Sequence, residues 1–410
     1  MVAGRRVAAA GADARTLAVV LAGFCAFLDL YAPQPLLPML EQVFHAGKVA
    51  VSQTITAATV AVALAAPFAG MVADRYGRKR VIVPATLLVA VPTLLAATAG
   101  SLGQLVFWRF WQGVFTPGIF AVTLAYIHEE WPAAAVGRAS AAYVTGTVIG
   151  GFIGRVLTGL IATYLGWRWA FVALGVLNAL GGLAIWMWLP EGRRFVPARR
   201  AVSPLGALAG HLRNPRLAAT YAVGFCVLFT LLGTFTYITF YLAAPPFRLG
   251  TVALSYLFVV YLAGAAVTPQ AGRWIDRFGP RRGLAAAVAG GVAGILLTTS
   301  HSLALVVAGL ALCSTGVFVA QAAASSFISV AARQARAAAV GLYVTFYYLG
   351  GSAGATLPGY LWPLGGWPAC AALIAAVQAV AIGMALLFWR QRAQQDCVEN
   401  IPAGGCATAK

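Results

Sequence analysis

Charged side chains stand inside long apolar runs at Asp29 in "AGFCAFLDLYAPQPLLPML", Arg109 in "RFWQG" and Arg155 in "GTVIGGFIGR". A charge at the centre of lipid costs about 2.5–3.5 kcal/mol on insertion scales, so such residues are expected to pair or to face a cavity. The acidic residues are Asp13, Asp29, Glu41, Asp74, Glu129, Glu130, Glu191, Asp276, Asp396 and Glu399, and of these Asp29 falls in the core of an apolar run. A carboxylate balanced between desolvation and a nearby guanidinium can exchange a proton as a cavity opens to either side. Asp29 and Arg109 are therefore read as proton-coupling residues. The alternatives are an ion pair that only fixes helix packing and a tolerated, partly solvated charge.

These charges need helices to hold them. The chain has 410 residues, 61% hydrophobic and 9% charged, against roughly 25% charged in a soluble domain. Twelve apolar runs, 16–39, 52–73, 81–99, 102–126, 137–163, 167–189, 217–243, 251–272, 282–300, 302–330, 338–362 and 366–389, are long enough to span a bilayer. The expected fold is an all-α polytopic membrane protein. The net charge of +18 concentrates in alternate loops, at Arg75, Arg78, Lys79 and Arg80, at Arg193 to Arg216, and at Arg273 to Arg282. The loops between carry Lys48, Arg168 and Arg248. That asymmetry follows the positive-inside rule, places both termini in the cytoplasm, and removes the case for nucleic acid as a partner. Cys25, Cys226, Cys313, Cys370, Cys397 and Cys406 show no metal-ligand or disulfide spacing. No cofactor and no metal are expected. Arg5 and Arg6 precede an apolar stretch too long for a cleaved leader, so the first helix is read as uncleaved.

Counted from their ends at 1.5 Å per residue, Asp29 and Arg109 both fall about 9 Å below the outer boundary of a bilayer core. Arg155 lies near the same level. These charges are expected to share a central cavity.

The chain repeats itself. "YVTGTVIGGFIGRVLTG" (Tyr143–Gly159) matches "YVTFYYLGGSAGATLPG" (Tyr343–Gly359) at an offset of 200 residues, and Gly166-Trp167 matches Gly366-Trp367. "GMVADRYGRKR" (Gly70–Arg80) matches "GRWIDRFGPRR" (Gly272–Arg282) at an offset of 202. Two six-helix halves in parallel orientation follow: 1–189 and 217–389, joined by a cytoplasmic linker at 190–216 and followed by a tail at 390–410.

The Gly70–Arg80 stretch resembles the signature loop of the major facilitator superfamily, and its degenerate copy at Gly272–Arg282 strengthens the likeness. "RFWQG" resembles the helix-4 motif of its drug:proton antiporter branch. "GTVIGGFIGR" resembles that branch's glycine-rich helix-5 motif, with Arg155 where proline is usual. "YAPQPLLPML" and "LAYIHEEW" are similar to bacterial arabinose-efflux-like permeases. The resemblance implies the major facilitator fold and a secondary transporter working by alternating access. It implies proton-coupled efflux of a small organic compound from a monomer in the bacterial inner membrane. An uptake symporter or uniporter is the close alternative. A membrane enzyme lacks an intramembrane histidine or nucleophile set, and a sensor would need more chain than follows Arg390.

Further site residues follow from this frame. Gly70, Asp74, Arg75, Gly77, Arg78 and Arg80 are expected to form a conformational latch with Glu129, Glu130 and, in the second copy, Asp276. Gly146, Gly150 and Gly154, with Gly350 and Gly354, recur every four residues. They serve close helix packing or a surface on which the halves slide. Substrate contacts are expected from Asp29, Tyr31, Gln34, Arg109, Gln112, Phe115, Tyr143, Arg155, Tyr237, Tyr241, Phe346 and Tyr347. Pro33, Pro35 and Pro38 either bend the first helix above Asp29 or end it.

Overall fold

The computed structural model describes residues 2–192, 210–331 and 336–389, with side chains described from Ala14 onward except at 269, 276, 329–330 and 336–338. Most of the expected linker, the whole tail and the Asp276 side chain therefore lie outside the described residues. The described chain is helical throughout and contains no strand.

The first half begins with α1 (Val2–Leu28), which stops where Pro33 and Pro35 follow. Proline has no N–H to continue the ladder, and the Asp29 carbonyl would need the N–H of residue 33. A 3₁₀ turn at Gln34–Leu36 and the short α2 (Leu37–Val43) carry the chain on. Then come α3 (Lys48–Tyr76), α4 (Lys79–Ala96), α5 (Leu102–Glu130), α6 (Ala133–Tyr164) and α7 (Trp167–Trp188). The Ser101 side chain caps α5 by accepting from the Gln104 N–H at 3.3 Å. The second half has α8 (Pro215–Ala243), the short α9 (Thr251–Tyr256), α10 (Val260–Phe278), α11 (Pro280–Leu297), α12 (Leu303–Ala331) and α13 (Arg336–Phe388). The last of these is broken by non-helical backbone at Gly365 and Gly366.

Nine described helices are long and apolar enough to cross a bilayer, counting 251–268 as one and the broken α13 as one. The other expected spans fall on the apolar part of α1, Ala14–Leu28, and on α11. Gly77 and Gly279 have φ of +95° and +85°, and Gly166 and Gly366 have +93° and +59°. Each pair is one of the sequence matches, so both copies of the repeat turn at the same point with a conformation that favours glycine.

The glycine stripes pack inside each half. A Cβ on Gly146, Gly150 or Gly154 would run into the carbonyl oxygens of Val20, Phe24 and Leu28 on α1. Gly350 and Gly354 meet Phe225 and Phe229 of α8 in the same way. Of the two readings of these stripes, close packing is the one this geometry matches: the faces bind helices of one half to each other. The halves meet instead through Gly159, set against Ser255, and through side-chain hydrogen bonds from α3 to α13. Among the described residues these join Thr56 to Thr356 (2.8 Å), Thr59 to Ser352 (2.8 Å) and Gln53 to Thr356 (3.5 Å), with Thr345 donating to the Ala63 carbonyl at 3.4 Å. Tyr237 donates to Ser52 at 3.3 Å and Gln34 to Thr236 at 3.3 Å. Apart from the Thr345–Ala63 bond, which lies near the middle of α3, these contacts fall in the parts of α3, α8 and α13 away from the basic loops, so the halves are sealed on that side.

Candidate functional site

The broken end of α1 is the foundation of the site. Gly113 brings α5 against the α3 backbone at Ala58, and one turn earlier Arg109 reaches across. Its guanidinium donates to the Asp29 carbonyl (2.9 Å), the Leu30 carbonyl (2.5 Å) and the Thr54 carbonyl (2.8 Å), and also to Gln112 Oε1. Arg109 thus supplies the donors that the proline-interrupted helix lacks, as basic side chains do at helix C-termini. It is fully buried.

The Asp29 carboxylate points elsewhere. Its Oδ2 accepts from Thr93 Oγ1 at 2.8 Å and from Asn178 Nδ2 at 2.5 Å, while Oδ1 has no partner. Gln112 Nε2 donates to Thr93 Oγ1 at 3.0 Å. A chain of neutral groups, Gln112 and Thr93, therefore links Arg109 to the carboxylate. The structure brings Asp29 and Arg109 together but forms no direct ion pair between them. Matching depth could not show which atoms meet.

Arg155 is also buried, and it lies farther along α1. With Gly154 letting α6 touch α1, its Nε donates to Gln34 Oε1 at 2.9 Å and its Nη1 to the Gly151 carbonyl at 2.6 Å. The rings of Tyr31, Phe258 and Tyr261 surround its Cζ at 5.1, 4.6 and 5.0 Å. Tyr31 and Gln34 come from the first half; Phe258 and Tyr261 come from the second. Tyr347 adjoins through Tyr348, whose ring lies 5.5 Å from it and 5.9 Å from Phe120 of α5.

The remaining expected contacts scatter. Tyr143 donates to the Phe120 carbonyl at 3.1 Å, close to the aromatic cluster. Tyr237 joins the halves through Ser52 and meets the Ala355 carbonyl within its own half. Tyr241 donates to the Ser300 carbonyl and stacks on Trp367. Phe346 stacks on Tyr221, beside a pocket of about 410 Å³. Phe115 stacks on Trp111 and lines a separate pocket of about 590 Å³ with Leu64, Phe68 and Arg80. Neither pocket reaches Asp29 or Arg155.

At the basic-loop side, Arg78 binds Glu129 at 2.5 Å and Asp74 at 2.7 Å. Arg15 approaches Glu130 at 3.7 Å and stacks on Trp131 at 3.7 Å. Arg78, not Arg80, makes the pairing with the end of α5. Partly buried among these carboxylates, the Arg78 guanidinium loses some stability to desolvation, but its bonds to Glu129 and Asp74 outweigh this and hold its pKa above the usual arginine value. Gly77 turns the chain between α3 and α4, Gly70 has open space around it, and Arg75 lies over the Tyr76 ring.

Asn178, Thr93, Phe258 and Tyr261 belong to the site and are not among the residues picked out from the sequence. Asn178 had a signal, an amide amid "LGVLNALGGL". Thr93 and the two aromatic residues had none.

Helices in two like halves, sealed on one side and holding buried charges beside their contact, define a membrane transporter. The chain belongs to the Major Facilitator Superfamily, whose pattern matches residues 19–268 and 242–405. It is 32% identical to the uncharacterized MFS-type transporter YybF of Bacillus subtilis, over 90% of this chain and 91% of that one. Against the inner membrane transport protein YnfM of Escherichia coli the identity is 34%, over 90% and 88%. The human organic anion transporter MFSD10 (TETRAN) shares the fold, with a TM-score of 0.71, 19% identity, and coverage of 91% of this chain and 99% of that one. The protein is thus a multi-pass membrane transporter of the MFS type.

Proposed function

We propose that this transporter couples proton movement to export of a small organic compound by alternating access, with Asp29 as the group that carries the proton. The observation that carries this reading is the Asp29 carboxylate itself: buried, held by Thr93 and Asn178, with Oδ1 left without a partner. A proton on Oδ1 would remove the charge without disturbing either hydrogen bond. Ionisable groups at membrane depth commonly mark such proton relays. Export rests on the likeness of "RFWQG" and "GTVIGGFIGR" to antiporter motifs. The working unit is a monomer in the bacterial inner membrane with both termini cytoplasmic, acting on small molecules and protons without enzymatic chemistry. The seal opposite the basic loops then corresponds to a state closed to the outside.

The test uses the full-length protein in proteoliposomes with an imposed pH gradient and a panel of small organic compounds. Each compound is offered to both faces while internal pH is followed with a trapped dye. Substrate movement opposite to proton movement supports the reading. Movement in the same direction replaces export with uptake, and movement indifferent to the gradient removes proton coupling.

A further inference from the structure

We infer that the Arg155 cage is an oxyanion site that takes the carboxylate of an aromatic or otherwise flat organic anion, bound between the halves. The inference rests on the transporter reading and names its substrate class. Arg155 is 2% exposed, and its Nη2 has no hydrogen-bond partner. Among the described residues it takes part in no ion pair. The Tyr261 hydroxyl, on a ring whose centroid is 5.0 Å from the guanidinium, is likewise buried and unpartnered. Two buried donors without acceptors therefore belong to the same cage.

A buried cation normally has a counterion, and π faces compensate it only in part. A carboxylate supplies what is missing: one negative charge for one guanidinium, and oxygen acceptors for the Nη2 and hydroxyl protons. The walls of the cage are Tyr31 and Phe258, which suit a flat apolar body attached to that carboxylate. Nε and Nη1 are already fixed by Gln34 and Gly151, so the guanidinium is held in place for a ligand. Because Tyr31 belongs to one half and Phe258 and Tyr261 to the other, an anion bound here touches both. A substrate must do so to bias the rocking of the halves.

The test measures binding of 1-naphthoate to the purified full-length protein in detergent at pH 7, by tryptophan fluorescence and thermal shift, with 1-naphthamide as the neutral isostere. Naphthoate should bind saturably, and the amide at least about tenfold more weakly, as loss of a charge-assisted bond predicts. Arg155→Gln should lose the preference for the acid. Tyr261→Phe removes an unpartnered hydroxyl without touching the fold, and should weaken naphthoate about tenfold while leaving the amide unchanged. The inference is overturned if naphthoate does not bind, if the amide binds as well, or if Tyr261→Phe binds naphthoate like the wild type. Binding needs no gradient. A failure here is thus separable from a failure of proton coupling, which the flux experiment reads.

Discussion

Replacing Arg109 by alanine would remove the donors that hold the broken end of α1 to α3 and α5. The carbonyls of Asp29, Leu30 and Thr54 and the Gln112 side chain would all lose a hydrogen bond. The Asp29 carbonyl keeps the Ala32 N–H and the Thr54 carbonyl its place in the α3 ladder. The Leu30 carbonyl and Gln112 Oε1 are left unsatisfied, at about 1–3 kcal/mol each and a ceiling of about 2–6 kcal/mol together. Relaxation and entering water lower that, and a loss of about 3–5 kcal/mol is expected, the range for deleting one partner of a buried charged contact. Arg109→Lys should recover about half. Lysine keeps the charge but lacks the planar fork that reaches α1 and α3 at once. Gln112→Leu, which leaves the three carbonyl bonds in place, should cost about 1 kcal/mol. Equilibrium unfolding of the purified protein in mixed micelles, titrated with sodium dodecyl sulfate and followed by circular dichroism, ranks the three variants. If Arg109→Ala costs no more than Gln112→Leu, the guanidinium does not cap α1.

Asp29→Asn should leave the fold intact, because an amide oxygen can accept from Thr93 and Asn178. Under a gradient of one pH unit, worth about tenfold accumulation per coupled proton, the variant should only equilibrate substrate; sustained accumulation in proteoliposomes would acquit Asp29. Glu129→Gln should alter the accessibility of cysteines introduced at the basic-loop side more than Asp74→Asn does. The Arg78–Glu129 contact ties α4 to the end of α5, whereas Asp74 and Arg78 are four residues apart; identical labelling in both variants would reduce the cluster to a local fastening. Gly150→Ala drives a methyl group into the Phe24 carbonyl and should destabilise the first half by about 1–3 kcal/mol. Gly159→Ala meets Ser255 of the other half and should instead change the balance between conformations, read as altered labelling on the side opposite the basic loops.

Composition and spacing alone determined much of this protein. Apolar runs of spanning length gave the helices, since a backbone in lipid must satisfy itself. The offsets near 200 residues gave the repeat, and Gly77, Gly166, Gly279 and Gly366 show it again as shared positive φ values. The cost of a charge in lipid singled out Asp29, Arg109 and Arg155, and all three are buried. What these groups touch was decided only by tertiary structure. The sequence placed Asp29 and Arg109 at one depth, but depth is a single coordinate. Rotation of α5 about its axis sends the guanidinium to the Asp29 and Leu30 carbonyls at the broken end of α1 and to the Thr54 carbonyl of α3, and the carboxylate turns to Thr93 and Asn178. The glycine stripes announced close approach, but a stripe does not name the helix that fills it, and α1 and α8 do so. The cage around Arg155 was least legible. Tyr31 and Tyr261 are separated by 230 positions, and only the packing of one half against the other brings them around the same cation.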